Sequence, residues 1–270
     1  MPDASGASDA ANLPDPATVA GFVAARARVL IAIADACARS ERDPAGVTLV
    51  AVSKTVDGAH VRAAVAAGLT TLGENRVQEA EEKVPAAPGA CWHLVGPLQA
   101  NKARRAVAIF DVIESVGSVA LAVRLDRLAG ELRPGRPLPI LLQVNVDGDP
   151  AKAGFEPHDL AAAMPGLVGL PNLELRGLMT VGRFAATAEE ARPTFQTLRA
   201  LAEDLRAVHA TLGPALSMGM SDDYPVAIEE GATLVRVGRA LFGERLRVRA
   251  DGAPDAHARA HALPTAADRA

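Results

Sequence analysis

The stretch Val47-Thr48-Leu49-Val50-Ala51-Val52-Ser53-Lys54-Thr55 is an apolar, β-branched run that ends in a single lysine. This composition predicts a buried β-strand. In α/β folds, the residues that carry chemistry lie at the carboxyl ends of the strands. Lys54 therefore has two interpretations: a solvated cap on the strand, or a partly desolvated amine that can attack an aldehyde. The rest of the sequence has to decide between them.

Similar strand-like runs recur along the chain, and amphipathic helical patterns separate them. The predicted strands are Thr48–Val52, Thr70–Leu72, Trp92–Val95, Asp111–Glu114, Ile140–Val146, Leu173–Met179, Ala215–Met218 and Leu234–Val237. The predicted helices are Pro16–Arg39, which precedes the first strand, then Gly58–Ala67, Val77–Lys83, Gln99–Ile109, Ser118–Leu132, His158–Met164, Ala188–Thr211 and Asp222–Glu230.

This alternation of strands and helices predicts parallel strands joined by helical crossovers. Eight such units in about 200 to 250 residues favour a single α/β domain, a (β/α)8 TIM-type barrel with an extra N-terminal helix. A doubly wound open sheet is the alternative, but no Gly-x-Gly-x-x-Gly follows the first strand. We expect the barrel to occupy residues 16–249, between disordered tails at 1–15 and 250–270.

Composition narrows the classes of partner. The 270 residues are 49% apolar and carry a net charge of −4, which argues against nucleic-acid and anionic-membrane partners. No apolar run is expected to span a bilayer, and the N-terminus does not resemble a secretory signal. The two cysteines, Cys37 and Cys91, have no metal-site spacing, which favours reduced thiols in a cytoplasmic protein without a metal.

Phosphate sites in barrels of this kind often form after the seventh and eighth strands. The segment after the seventh strand reads Ser217-Met218-Gly219-Met220-Ser221-Asp222-Asp223. It can offer a hydroxyl and backbone N–H groups to an anion, although Ser221 or Asp222 could equally be a helix N-cap. The eighth strand supplies Gly238, which lets the backbone approach a ligand closely.

Arg236 lies in an apolar strand, and a buried guanidinium needs a partner. That partner is either a carboxylate, such as Glu114 or Glu229, or a ligand in the barrel mouth. A lysine, a phosphate cradle and an inward arginine suggest a phosphorylated aldehyde such as pyridoxal 5′-phosphate. A Schiff-base aldolase would need much the same parts, so both interpretations stay open at this point.

Several motifs together closely resemble the pyridoxal phosphate homeostasis protein family, which is related to the N-terminal barrel of alanine racemase. They are Leu49-Val50-Ala51-Val52-Ser53-Lys54-Thr55, Gly73-Glu74-Asn75, Trp92-His93-Leu94-Val95-Gly96-Pro97-Leu98-Gln99-Ala100-Asn101-Lys102, Leu216-Ser217-Met218-Gly219-Met220-Ser221-Asp222-Asp223 and Val235-Arg236-Val237-Gly238. The resemblance covers residues 17–245 and keeps the motifs in order.

The resemblance implies a set of cofactor-binding residues: Lys54, Asn75, Ser221, Arg236, Gly238 and Arg239. Lys54 would hold pyridoxal 5′-phosphate through a reversible Schiff base, and Arg236 would face the pyridine nitrogen. Ser221 and the backbone N–H groups of the two residues after the eighth strand would hold the phosphate, with Asn75 near the ring. His93 belongs to a family motif and is either a cofactor contact or a hydrogen-bonded barrel histidine.

The resemblance also implies a role in pyridoxal phosphate homeostasis. The protein would buffer the cofactor or deliver it to apo-enzymes without catalysis, with effects on amino-acid and keto-acid metabolism. The low aromatic content of 3% favours a monomer, since few aromatic residues are available to form a large interface. The alternative is an amino-acid racemase-type enzyme. A two-base racemase of this fold needs a second base, typically a tyrosine from an additional domain. The chain is expected to lack room for that domain, and its single tyrosine, Tyr224, adjoins the phosphate loop.

Overall fold

A computed structural model of the chain describes residues 13–182 and 186–243. The tail predicted over 250–270, the last residues of the predicted barrel domain and most of the tail predicted over 1–15 lie outside this range. Asp15, at the end of the predicted N-terminal tail, caps the first helix. Its carboxylate accepts a hydrogen bond from the Thr18 N–H at 2.9 Å.

Eight parallel strands form a closed barrel in sequence order. They are β1 (Thr48–Val52), β2 (Thr71–Glu74), β3 (Cys91–Leu94), β4 (Val112–Val116), β5 (Leu138–Gln143), β6 (Leu173–Met179), β7 (Ala215–Met220) and β8 (Leu234–Val237). The barrel closes where β1 pairs with β8, with Ala51 opposite Val237. The predicted (β/α)8 fold is confirmed, and the open-sheet alternative is wrong.

Helices surround the barrel. In the described residues they are α1 (Pro16–Arg39), α2 (Gly58–Ala66), α3 (Val77–Lys83), α4 (Ala103–Ile109), α5 (Val119–Leu132), α6 (Pro157–Leu167), α7 (Arg192–Val208), α8 (Tyr224–Glu229) and α9 (Arg239–Phe242). The predicted extra N-terminal helix is confirmed with the same bounds. Helix α9 was not predicted, because four residues are too few to show a helical period.

Strand alternation divides the buried side chains between two faces of the barrel wall. In β1, Ala51 belongs to the large core between the barrel and its helices, whereas Val50 and Val52 belong to a separate small cluster. In β3, Trp92 and Leu94 likewise belong to the large core. Cys91 and His93, which alternate with them, therefore face the barrel interior.

Helix α1 packs against α2, α8 and α9 through a buried stripe that includes Phe22, Val29, Ile33 and Cys37. It is also long and apolar enough, by length and composition alone, to cross a membrane. The expectation that no segment meets this criterion is wrong, because the helix is rich in apolar residues. A core helix meets the same criterion, so α1 is only a weak indication of a membrane span.

Candidate functional site

A cavity of about 440 Å³ opens at the carboxyl ends of the strands, and we refer to it as the mouth cavity. All the predicted cofactor-binding residues line it: Lys54, Asn75, Ser221, Arg236, Gly238 and Arg239. They come from four separate parts of the chain, after β1, after β2, after β7 and at β8. The structure therefore brings the predicted set together, while their contact with a cofactor stays a prediction.

Lys54 directly follows β1, and the residue after it has an unusual backbone conformation. Thr55 has φ of 67°, a left-handed conformation that a β-branched residue rarely adopts. The Thr55 N–H donates to Glu79 Oε2 at 3.0 Å, and the Val56 N–H donates to the Ser53 carbonyl at 3.0 Å. Such a residue costs about 1–3 kcal/mol, so the surrounding structure must impose this turn beside Lys54.

A buried ion pair supports the strand end from which Lys54 projects. Lys83 Nζ of α3 lies 2.6 Å from Glu74 Oε1 and donates to the Ser53 carbonyl at 2.9 Å. The Ser53 hydroxyl donates to the same Glu74 oxygen at 2.7 Å. Burial raises the pKa of Glu74, although the hydrogen bonds from Lys83 and Ser53 oppose the shift. The network ties the ends of β1 and β2 to α3.

Asn75 reaches the cavity from the end of β2, where Gly96 packs tightly against its backbone. A Cβ atom on Gly96 would lie less than 3 Å from the Asn75 carbonyl oxygen and Cα. Any larger side chain would therefore displace Asn75. The close approach explains why the loop after β3 carries glycine at this position.

The loops after β7 and β8 meet at Ser221 and Gly238. The Gly238 N–H donates to Ser221 Oγ at 3.2 Å, and the guanidinium of Arg239 pairs with the Asp222 carboxylate. The N-cap interpretation of Ser221 and Asp222 is wrong, because α8 begins at Tyr224 and Asp223 occupies the N-cap position. The Ser221 hydroxyl therefore contacts the residue that precedes α9 and does not cap α8.

Arg236 projects into the barrel interior and is buried. One of its terminal nitrogens donates to Ser217 Oγ at 2.5 Å, and the other donates to the Thr180 carbonyl at 2.7 Å. The Ser217 hydroxyl in turn donates to Glu114 Oε2 at 2.5 Å. Of the two carboxylates that the sequence suggested as partners of Arg236, Glu114 balances the charge of the guanidinium. The contact between them runs through Ser217.

The other carboxylate, Glu229, does not balance Arg236. It bonds Arg39 and Arg192 instead, at 2.7 Å each. Both of those arginines belong to surrounding helices, α1 and α7, so Glu229 ties helices together outside the barrel wall. The alternative that Glu229 is the carboxylate partner of Arg236 is therefore wrong.

His93 is a hydrogen-bonded barrel histidine. Its Nδ1 lies 2.6 Å from Glu114 Oε1. Burial lowers its pKa, but hydrogen bonds with Cys91 and Glu114 outweigh burial and raise the pKa to about 9. His93 lines a second cavity of about 300 Å³ at the amino ends of the strands, which we refer to as the floor cavity.

Lys152 is a cavity residue for which no function was predicted, although it closely follows the predicted fifth strand. Its Nζ atom is buried without a hydrogen bond, 3.5 Å from Asp147 Oδ2 and 3.8 Å from Asp149 Oδ2. The residue lines the mouth cavity from the β5–α6 loop. In strand order β5 lies opposite β1, so Lys152 and Lys54 line the cavity from opposite sides.

Across the described ranges 13–182 and 186–243, no group of three or more His, Cys, Asp and Glu side chains is placed to hold a metal ion. The groups that line the mouth cavity are amines, two guanidinium groups, amides, a hydroxyl and the Asp222 carboxylate, which pairs with Arg239. This set suits a small anionic carbonyl compound.

Comparison with known proteins finds a matching family and close relatives. Residues 32–246 match the alanine racemase N-terminal domain family. The pyridoxal phosphate homeostasis protein of Pseudomonas aeruginosa is 46% identical over 224 residues, which cover 81% of this chain and 94% of that protein. The protein of the same name from Aquifex aeolicus is 39% identical over 220 residues, covering 81% and 96%.

Solved structures agree with this assignment. PipY of Synechococcus elongatus, solved with pyridoxal phosphate bound, superposes with a TM-score of 0.69 at 47% identity, covering 78% of this chain and 100% of PipY. An alanine racemase of Clostridium difficile superposes with a TM-score of 0.61 at 14% identity, covering 74% of this chain and 53% of the racemase. The second likeness shows the fold alone.

Proposed function

The chain belongs to the pyridoxal phosphate homeostasis protein family, and from that premise we propose that it holds pyridoxal 5′-phosphate on Lys54. The observation that carries the proposal is that Lys54, Arg236 and Ser221 line one cavity at the carboxyl ends of the strands. A volume of about 440 Å³ lies within the range of roughly 300–1,000 Å³ typical of small-molecule sites. The cavity can therefore enclose the cofactor.

Each part of the cofactor has a partner of suitable chemistry. When bound, pyridoxal 5′-phosphate supplies an electrophilic aldehyde that a primary amine attacks with loss of water. Lys54 would be that amine, because it follows β1, and β1 pairs with β8, which precedes part of the proposed phosphate cradle. Ser221, together with the N–H groups of Gly238 and Arg239, would hold the phosphate, since the first N–H groups of α9 have no acceptor within the helix. Asn75 would lie near the ring.

Arg236 would face the pyridine nitrogen. Its guanidinium is held by Ser217 and the Thr180 carbonyl, and it cannot lose its proton near neutral pH. A fixed positive charge disfavours a second positive charge on the ring nitrogen. The bound cofactor would then be a weaker electron sink, which favours holding it over carbanion chemistry.

We propose that the protein is a carrier and not a catalyst. Tyr224, considered from the sequence as a second base, is buried in the core at the start of α8 and is not part of the mouth-cavity lining. The carrier would release the cofactor to apo-enzymes and would thereby affect amino-acid and keto-acid metabolism. We further infer a cytoplasmic monomer, since aromatic residues, which often anchor interfaces, make up only 3% of the chain.

One observation favours the enzyme alternative. Lys152 places a second lysine in the lining of the mouth cavity, on the side opposite Lys54, where a second base would be needed. Incubation with L-alanine and other L-amino acids, followed by assay for D-isomers, separates the two functions. Sustained turnover that is lost in Lys54→Ala and in Lys152→Ala would overturn the carrier function in favour of the enzyme.

The central test is a visible spectrum of the purified protein before and after borohydride, followed by peptide mapping. The chain has four lysines, so the mapping is unambiguous. We expect the reduced cofactor on Lys54 and an unchanged yield in Lys102→Ala, which alters a lysine away from the cavity lining. A label on Lys152, or no cofactor mass at all, would contradict the proposal.

A further inference from the structure

The floor cavity lies at the end of the barrel opposite the mouth cavity. Its lining includes the first residues of several strands, among them Thr48, Thr71 and Cys91. Because Cys91 and His93 are two residues apart on β3, their side chains point to the same, inner face. The floor cavity therefore contains a thiol and an imidazole that the proposed cofactor site does not use.

These two side chains lie beside each other in the floor cavity, because both line it from the inner face of β3. The imidazole of His93 is fixed on its other side by Glu114, which lies 2.6 Å from Nδ1. A thiol beside an imidazole that a carboxylate orients is an arrangement that activates sulfur nucleophiles. The anionic form of a cysteine sulfur is the reactive form in exchange with disulfides.

The lining also indicates which reactants the floor cavity admits. Among the described lining residues the charged or titratable nitrogen groups are His93 and Arg176, and no carboxylate is present. Glu174, outside the lining, pairs with Arg176 at 2.8 Å and offsets part of its charge. Threonine hydroxyls add hydrogen-bond donors at the rim. The cavity is therefore better suited to small anionic reactants than to cationic ones.

We propose that the floor cavity is a modification site at which Cys91 undergoes thiol–disulfide exchange with small anionic disulfides. The Cys91 sulfur attacks one sulfur of the disulfide, a mixed disulfide forms on Cys91, and the original S–S bond breaks. The other half leaves as a thiol that carries the proton lost by Cys91. His93 acts as a positioning residue, because it lies beside the reacting sulfur and takes no part in the bonds that form and break. None of these steps depends on the cofactor.

The chain provides its own control for the test. Cys37, the second of its two cysteines, is buried in α1, and burial raises the pKa of its thiol. We therefore expect dithiobis-nitrobenzoate to release one equivalent of thiol from the folded wild-type protein. Peptide mapping without reductant should place the adduct on Cys91. An adduct on Cys37, or release only after denaturation, would overturn the proposal without any variant having to fold.

Variants then test how the residues around Cys91 affect the rate of its exchange with disulfides. In the Cys37→Ala background, His93→Gln should slow the exchange about tenfold, whereas His158→Gln, which alters an exposed histidine, should not change it. Cystamine, a cationic disulfide, should react about tenfold more slowly than dithiobis-nitrobenzoate, with both rates normalised to a free thiol. Equal rates in the His93→Gln variant or with cystamine would show that Cys91 is merely an accessible thiol, contrary to the proposal.

Discussion

At the scale of single residues, the contact between Ser221 and Gly238 is the most direct test of the phosphate cradle. The Ser221 hydroxyl already accepts a hydrogen bond from the Gly238 N–H, so it faces the loop that would surround the phosphate. We expect Ser221→Ala to weaken binding of pyridoxal 5′-phosphate roughly tenfold, which corresponds to about 1.4 kcal/mol. Fluorescence titration measures this change.

The matched control is Ser221→Thr, which keeps the hydroxyl and should bind within a few-fold of the wild type. Circular dichroism should show an intact barrel in both variants, since Ser221 lies in a loop outside the strands and helices. Binding of wild-type strength by Ser221→Ala would show that the hydroxyl does not contribute to the cradle.

Residue chemistry explains which site residues the sequence can reveal. Lys54 and Ser221 follow apolar runs directly, so their position at strand ends can be read from the local pattern. The link from Arg236 to Glu114 passes through Ser217, which lies 103 positions from Glu114 in the chain, and no local pattern encodes such a contact. The sequence could therefore name Glu114 as a candidate but could not separate it from Glu229.

At the scale of elements, the Glu74–Lys83 pair joins the ends of β1 and β2 to α3. Lys83→Met should destabilise the protein by about 3–5 kcal/mol, because it leaves the Glu74 carboxylate buried without a counter-charge. Urea unfolding at neutral pH measures the loss. Lys102→Met, outside this network, should change the free energy of unfolding by less than about 1 kcal/mol.

The double variant Glu74→Gln/Lys83→Met separates charge from packing. With both charges removed, it should recover most of the stability lost in Lys83→Met. If the double variant is as unstable as Lys83→Met, the lysine stabilises the fold through packing of its aliphatic chain, and the electrostatic explanation fails.

The bounds of the elements differ from prediction where tertiary contacts outweigh local preference. Strand β2 extends to Glu74 although Gly73 and Glu74 are poor strand formers, because Lys83 and Ser53 satisfy the buried carboxylate. Strand β5 ends at Gln143 and not at the predicted Val146, because Val144 pairs instead with Phe155 of the following loop. Neither contact has a local sequence signal.

At the scale of the whole molecule, His93 should make stability depend on pH. A histidine whose pKa rises on folding, here from 6.5 to about 9, favours the folded state while it is protonated. Its contribution is complete below pH 6.5 and is lost as pH rises through about 9. The loss is on the order of 3 kcal/mol.

Urea unfolding of cofactor-free protein between pH 6 and 10 tests this prediction. His93→Gln should flatten the decline in this range, whereas His158→Gln, at an exposed position, should leave it unchanged. Equal slopes in the wild type and His93→Gln would assign the pH dependence to other groups.

The barrel itself was predictable because its signal is repeated eight times. Three strands, β1, β6 and β8, have the predicted bounds, and errors in the others do not alter their order. Since closure requires only eight parallel units in sequence, local errors of a few residues leave the fold unchanged. The structure does not test the prediction of the two tails, because almost all their residues lie outside the described ranges.

The side chains of Cys91, His93, Glu114, Ser217 and Arg236 form a series that reaches from the floor cavity to the mouth cavity, with hydrogen bonds from His93 to Arg236. Coupling between the two ends through this series would be reciprocal. An adduct that draws His93 away from Glu114 would alter the charge balance behind Arg236 and hence the affinity for a vitamin-derived ligand. Conversely, the protein with its ligand bound would differ from the empty protein in its susceptibility to oxidants. The supply of the vitamin would then affect oxidation of the protein, and oxidation would affect binding of the vitamin-derived ligand.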